Sequence, residues 1–315
     1  MARIDQASKP SLGVAIITHN ARRHLTQCLT PLLQSRLRPR VLVVNSSSPD
    51  GTVELAAELG AETLVVPREK FNHGLTREDA RRQLATDITV FLTPDAYPSE
   101  ESFLERITAP LVTGQASVAY GRQLARSDAD FIERFARDFN YPRQSQLRGL
   151  NDWPRFGSYT HFCSNSCAAW NNAALDSIGG FQPTLVSEET IAVAQLLRRG
   201  HKIAYAADAT VVHSHPTSLI GDFKRQFDIG FARAQHRALL LAYEPDERRG
   251  HSYAWQLLTR CLTDRPTLLP YAVTDTAVKY VGYRLGLLGR KLPGALRRLA
   301  SGQDYFWTST VRLPG

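Results

Sequence analysis

"LGVAIITHNARRHLTQCLTPLLQSRLRPRVLVVN" (12–45) decides the fold. Its first seven residues are a β-rich apolar run suited to a buried parallel strand. Asn20 is then placed to cap a helix. The apolar stripe of that helix, Leu25, Cys28, Leu29, Leu32 and Leu33, repeats every 3.6 residues. "RVLVVN" (40–45) is a second strand, so the stretch reads as one βαβ unit.

The alternation continues. "SPDGTVELAAELG" (48–60) predicts a helix capped by Ser48 or Asp50 and stopped by Gly60. "ETLVVP" (62–67) is a third strand, "GLTREDARRQLA" (74–85) a third helix and "DITVFLT" (87–93) a fourth strand; Ser99 opens another helix to about Thr113. The pattern predicts an α/β fold, a mostly parallel sheet with helices on both faces, which binds ligands at the carboxyl ends of its strands. Those ends are residues 18–20, 45–48, 67–74 and 93–95. Further on, "SVAYGRQL" (117–124) reads as a strand, "SDADFIERFARDF" (127–139) as a helix and 140–160 as an irregular, aromatic-rich loop. "SEETIAVAQLLRRG" (187–200) is a helix with Ser187 as N-cap, "KIAYAADATVVHSH" (202–215) is strand material, and the chain is mainly helical from about Ser218.

Composition narrows the class. The 315 residues are 43% apolar and 22% charged, as in a soluble globular protein. Cys28, Cys163, Cys167 and Cys261 form no paired framework and lack the partners of a zinc site, which predicts reduced thiols in a cytosolic protein. No run is long enough for a membrane span and the first ten residues hold no apolar signal core. The formal net charge of +8 points to anionic partners, and no nucleic-acid-binding module is present to claim it.

Several motifs carry chemistry. The turn "THNARRH" (18–24) has no glycine, which excludes a dinucleotide fingerprint or a P-loop there. "VVNSSSPDGT" (43–52) delivers Asn45 at a strand end, followed by small residues that let a ligand approach the backbone. "FLTPDA" (91–96) ends an apolar strand on one carboxylate, Asp95, with Thr93 two residues before it. A hard cation needs only one or two carboxylates when phosphates and waters complete its shell. Glu188 and Glu189 fall in the first turn of a helix, where acids are favoured in any case. Twinned acids also raise each other's pKa, as a general base near neutrality requires. His213 and His215, two apart on a strand, face the same way, ready for a metal or phosphate.

In this order the motifs resemble those of the inverting GT-A glycosyltransferases of family 2. "AIITHN" (15–20) is similar to the family's first strand, which implies Thr18 and Asn20 in the base pocket. Asn45 stands where the family usually has an Asp that contacts base or ribose. "FNHGLTREDA" (71–80) supplies the family's glycine and donor-side arginine as Gly74 and Arg77. Its form looks like the rhamnosyltransferase branch that uses dTDP-L-rhamnose, with Glu78 where that branch usually has Asn. "FLTPDA" overlies the family's Asp-x-Asp segment. Thr93 takes the first acid's place, and Asp95 the place of the acid that reaches the divalent metal between the donor phosphates. The resemblance makes Glu189, or second Glu188, the base for the acceptor hydroxyl, and His215, then His213, a metal ligand beside Asp95. "VVHSHPTS" (211–218) and "DFKRQFDIG" (222–230) look like the same branch. So do "AYGRQ", "FNYP" and "SN", which imply Arg122 and Asn165 on the acceptor side.

The resemblance therefore implies a Rossmann-like catalytic domain over 12–217, with a nucleotide-sugar half (12–115) and an acceptor half (116–217). A tail precedes it (1–11) and a helical, basic region follows (218–315). The expected cofactor is Mg²⁺ or Mn²⁺. The expected donor is dTDP-L-rhamnose, or another UDP- or GDP-sugar, and the acceptor a saccharide, polyprenyl-diphosphate-linked or part of a growing surface polysaccharide. The alternative is a non-catalytic nucleotide-sugar binder or membrane scaffold. "VKYVGYRLGLLGRKLPGALRRLA" (278–300) mixes apolar residues with Lys279, Arg284, Arg290, Lys291, Arg297 and Arg298. It reads either as a helical lid with a solvated basic face or as a basic amphipathic element that docks on an anionic membrane surface. The second reading places the protein peripherally on the inner face of a bacterial plasma membrane.

Overall fold

The computed structural model describes residues 9–216, 218–242 and 247–309. The tail expected over 1–11 lies outside the described residues except for 9–11, as do 310–315 at the far end of the basic region.

Among the described residues nine strands form one sheet: β1 (Leu12–Thr18), β2 (Arg40–Asn45), β3 (Glu62–Val65), β4 (Ile88–Leu92), β5 (Tyr97–Pro98), β6 (Val118–Leu124), β7 (Gln146–Arg148), β8 (Cys167–Asn171) and β9 (Ile203–Val212). Their order is β3-β2-β1-β4-β8-β6-β9-β5, with β7 also on β9. The helices are α1 (Arg22–Leu33), α2 (Thr52–Glu58), α3 (His73–Leu84), α4 (Phe103–Val112), α5 (Phe131–Asn140), α6 (Trp153–Phe156) and α7 (Asn172–Ser177). After them come α8 (Glu188–Arg198), α9 (Leu219–Gln235), α10 (Arg237–Leu240), α11 (Glu247–Asp264), α12 (Leu269–Leu287), α13 (Gly294–Ala300) and α14 (Asp304–Thr308).

The first four alternating strands pair in parallel, β1 lying between β2 and β4. The sheet is mixed: β8 runs antiparallel to both β4 and β6, and β5 and β7 run antiparallel to β9. The loop before β8 delivers the chain at the carboxyl end of β4, where the Thr93 amide donates to Ser166 O, so β8 can only run back. β8 thereby joins the two halves into a single sheet. The central strands are buried on both faces, and successive side chains point to opposite ones. Val14, Ile16, Val43 and Val90 pack on one face with Leu25, Leu29 and Ile107. Ala15, Val44, Phe91 and Trp170 pack on the other with Phe181, Val193 and Leu196. All four cysteines are buried free thiols.

Four helix starts differ from the sequence reading; at α2 the cap position is Gly51 in a left-handed conformation, not Ser48 or Asp50. Asn20 does not cap α1; it sits at φ +51° and the cap position is Ala21. The first amides of α1 are satisfied instead from the second loop, by Thr52 Oγ1 to Ala21 N (3.0 Å) and Asp50 Oδ2 to Arg22 N (3.0 Å). Ser99 does not open α4, because Tyr97 and Pro98 pair with β9 as β5 and the helix starts at Phe103. Ser187 precedes α8 in a left-handed conformation with no capping bond from its side chain. Residues 140–160, expected to be irregular, contain β7 and α6.

α9 and α12 pack with their backbones in close approach. A Cβ at Gly282 would lie 2.5 Å from Phe223 O, and one at Gly286 2.2 Å from Phe227 O. Gly286→Ala should therefore destabilise the protein by about 1–3 kcal/mol through overpacking, although alanine is the better helix former. Urea unfolding checks this; a rise in stability would contradict the close approach. The buried stripe of α12 is Ala272, Asp275, Gly282 and Gly286, so its large apolar residues Val273, Tyr280 and Val281 are left facing solvent.

Candidate active site

Three groups of side chains gather at the carboxyl edge of the sheet. The first closes the loops after β1 and β2. Thr18 and Asn45 are register partners. Thr18 Oγ1 donates to Val44 O (2.9 Å). Asn45 Nδ2 donates to Thr18 Oγ1 (3.1 Å) and Ser48 Oγ (2.7 Å), while its Oδ1 accepts from Ser48 N (2.8 Å). Asn45 is fully buried. Both ends of its amide shape the loop, so a base or ribose would meet the loop it braces and not Asn45 itself. Asp50 accepts from Ser48, Thr52 and the Arg22 amide, and these bonds outweigh burial to lower its carboxyl to about 2. Of this group Asn20 is exposed.

The second group centres on Asp95, in the turn that follows β4 and Thr93. β9 ends beside it, and His213 Nδ1 and His215 Nδ1 lie 3.5 and 3.7 Å from its two carboxylate oxygens. His213 is buried and His215 half exposed. Burial lowers His213 to about 4 and also depresses His215, so both rings are neutral at physiological pH and offer lone pairs. The three groups can present ligand atoms within 4.8 Å of one another. One carboxylate oxygen and two imidazole nitrogens converging on one point fit a divalent transition ion better than an ion that takes oxygen ligands alone.

The third group is a buried polar chain running from β8 through α8 to α3. Trp170 Nε1 donates to Asn165 Oδ1 (2.9 Å) and Asn165 Nδ2 to Glu188 Oε1 (3.0 Å). Arg77 Nη1 lies 2.9 Å from the same Glu188 oxygen and bonds His73 O (3.2 Å). Arg77 is only about 5% exposed and paired with Glu188. Asn165, about 3% exposed, braces the same Glu188 oxygen. Arg122, half buried, donates to Tyr141 O (3.2 Å).

The twin acids are thereby made unequal. Burial alone would raise Glu188, but the Arg77 guanidinium and the Asn165 amide hold it below its ordinary value. At Glu189 burial, the adjacent Glu188 charge and a hydrogen bond to Glu188 outweigh the weaker pull of Arg77 and push the carboxyl up to about 8. Gly74 lies in the first turn of α3, where a Cβ would meet Gln182 O at 2.0 Å. Glu78 binds Arg81 and Arg82 and accepts from Phe181 N (3.0 Å), which fixes the Gly180–Phe181 turn.

His73 and Tyr305 belong to the third group and were not singled out by the sequence. His73 stood inside a quoted motif; Tyr305, 232 residues away, carried no local signal.

Comparison with known proteins follows the same lines. The family model described as glycosyl transferase family 2 matches residues 13–179. The O-antigen chain rhamnosyltransferase WbaN of Salmonella anatum is 31% identical over 88% of this chain and 88% of its own. RfbN of Salmonella typhimurium, a rhamnosyltransferase of the same description, is 30% identical over 95% and 96%. Among solved structures, the mannosyltransferase PcManGT of Pyrobaculum calidifontis, in complex with GDP-Man and Mn²⁺, superposes with a TM-score of 0.56 at 16% identity, over 96% of this chain and 86% of that one.

Proposed function

The chain belongs to glycosyl transferase family 2, and from that premise we propose that it is an inverting, metal-assisted rhamnosyltransferase using dTDP-L-rhamnose to extend a surface polysaccharide. The observation that carries the reading is the division of labour between the twin acids. One is held ionised by Arg77, and the other keeps a pKa near 8. The rhamnosyltransferase description of both curated relatives supports the sugar.

In the proposed reaction Glu189, as carboxylate, takes the proton of an acceptor hydroxyl while that oxygen attacks the anomeric carbon. The bond from that carbon to the donor phosphate breaks and the nucleoside diphosphate leaves from the opposite face. Asp95, His213 and His215 would hold the divalent ion, Mn²⁺ or Mg²⁺, which neutralises charge on the leaving diphosphate. The braced loops after β1 and β2 wall the nucleotide side. A panel of nucleotide sugars, read as thermal shift and turnover with Mn²⁺, tests the donor; preference for a UDP- or GDP-sugar would overturn dTDP-rhamnose.

The acceptor end of the proposal includes a membrane surface. Among the described residues no helix is long and apolar enough to cross a membrane. Lys279 and Arg284 are engaged with Asp275 and Glu247, so they do not serve a free basic face. Arg290, Lys291 and Arg298 are exposed beside Leu288, Leu296 and Leu299, which are 51%, 50% and 72% exposed. Each basic residue near an anionic leaflet adds about 1 kcal/mol. Reversing all three to Glu should lower binding to anionic vesicles by at least about a hundredfold with folding intact. Unchanged flotation would remove the membrane from the proposal.

A further inference from the structure

The carboxyl-terminal segment, residues 301–309, crosses back over the nucleotide half of the molecule. It is pinned at both ends. Asp228 on α9 accepts from Gly302 N (2.9 Å), and Ser309 Oγ donates to Glu69 O (2.9 Å). Between the pins, Arg68 stacks on the Tyr305 ring at 4.3 Å and Phe71 meets it edge-on. Tyr305 Oη lies 2.7 Å from His73 Nε2 and also bonds Gln303 Oε1.

One arrangement of protons satisfies all of these contacts together. The Arg77 guanidinium can only donate, and its Nη1 lies 3.3 Å from His73 Nδ1. In that arrangement Nδ1 carries the lone pair, and His73 is neutral with its proton on Nε2. Burial acts in the same sense, lowering His73 to about 4. Nε2–H then donates to Tyr305 Oη, whose own proton goes to Gln303 Oε1. The chain from Gln303 to Trp170 is thus fully directional, and it passes through the Arg77–Glu188 pair.

We infer that Tyr305, with Gln303, is a positioning element of the active site. It fixes the tautomer of His73, which leaves Nδ1 to hold Arg77 on Glu188 and away from Glu189. The inference rests on Glu189 being the base, as proposed above. It goes further in making α14 part of the site, so that the helical region and the sheet act as one catalytic unit.

Tyr305→Phe keeps the ring, the Arg68 stack and the Phe71 contact and removes only the hydroxyl. In the full-length protein ¹⁵N-histidine NMR should show the Nε2–H tautomer for His73, assigned by loss of its signals in His73→Gln. That signature should become a tautomer mixture in Tyr305→Phe. Turnover should fall between about tenfold and a hundredfold with the donor KM unchanged, the size expected of a misplacement remote from the chemistry. The pH midpoint of turnover should move below that of the wild type as Arg77 becomes free to approach Glu189. A wild-type Nδ1–H tautomer overturns the inference whatever the activity. An Nε2–H tautomer with unchanged turnover and pH profile in Tyr305→Phe overturns the positioning role alone. An Nε2–H tautomer in a wild type that transfers no sugar instead counts against the function proposed above.

Discussion

Glu189→Gln is expected to lower the turnover of sugar transfer by between about a hundredfold and ten-thousandfold, the contribution of a general base, while donor binding and fold are retained. The reason for an intact fold is specific. With its pKa pushed to about 8, Glu189 is mostly protonated at neutral pH, and glutamine copies that neutral state. The mirror variant behaves differently. Glu188→Gln leaves Arg77, which is only 5% exposed, without its counter-charge, and breaking such a pair costs about 3–5 kcal/mol. One variant is inactive and stable; the other is unstable. The pH dependence has a definite sign. The base must be ionised to accept a proton, so turnover should rise about tenfold per pH unit below 8 and level off above it. Donor binding is measured by calorimetry, stability by thermal melting and transfer by product analysis. Transfer at the wild-type rate by Glu189→Gln would sink the assignment.

Asp95→Ala should have the second largest effect. The substitution leaves His213 and His215 facing each other without the carboxylate between them, and two neutral imidazoles hold a divalent ion far less well than the three-ligand set. Wild-type protein should bind dTDP more tightly in the presence of Mn²⁺ than in a chelator. Asp95→Ala should lose that difference and at least about a hundredfold in transfer. Equal, metal-independent binding of dTDP by both proteins would remove the ion from the proposal. The variant should melt close to the wild type, since Asp95 is partly exposed and no buried cation depends on it.

How far the site is legible in the sequence depends on where each partner comes from. Asp95 closely follows an apolar strand, and the two histidines alternate just past the end of β9 and not on it as expected, so each half of that cluster has a local signature. The register of β9 beside the turn after β4 brings the halves together. Asn45 and Asn165 stand at recognisable places, yet whether an amide faces a ligand or the interior depends on which hydrogen-bonding groups surround it. Both find all their partners within the protein. For Arg77, too, only folding reveals Glu188 within reach, although its Nε finds no partner among the described residues.

The sequence by itself determined the α/β alternation, the strand ends that gather the polar residues, the family, and the mutual effect of two adjacent acids. These follow from local periodicity and nearest neighbours, which the chain carries without folding. The tertiary structure alone decided that β8 runs antiparallel, that Asp50 caps the helix before its own, and that Arg77 binds one glutamate and not the other. It also brought Tyr305 from the end of the chain onto His73. The physical reason is the same throughout. A buried polar group must find a partner, and the nearest available partner is set by packing across the sheet and not by distance along the sequence.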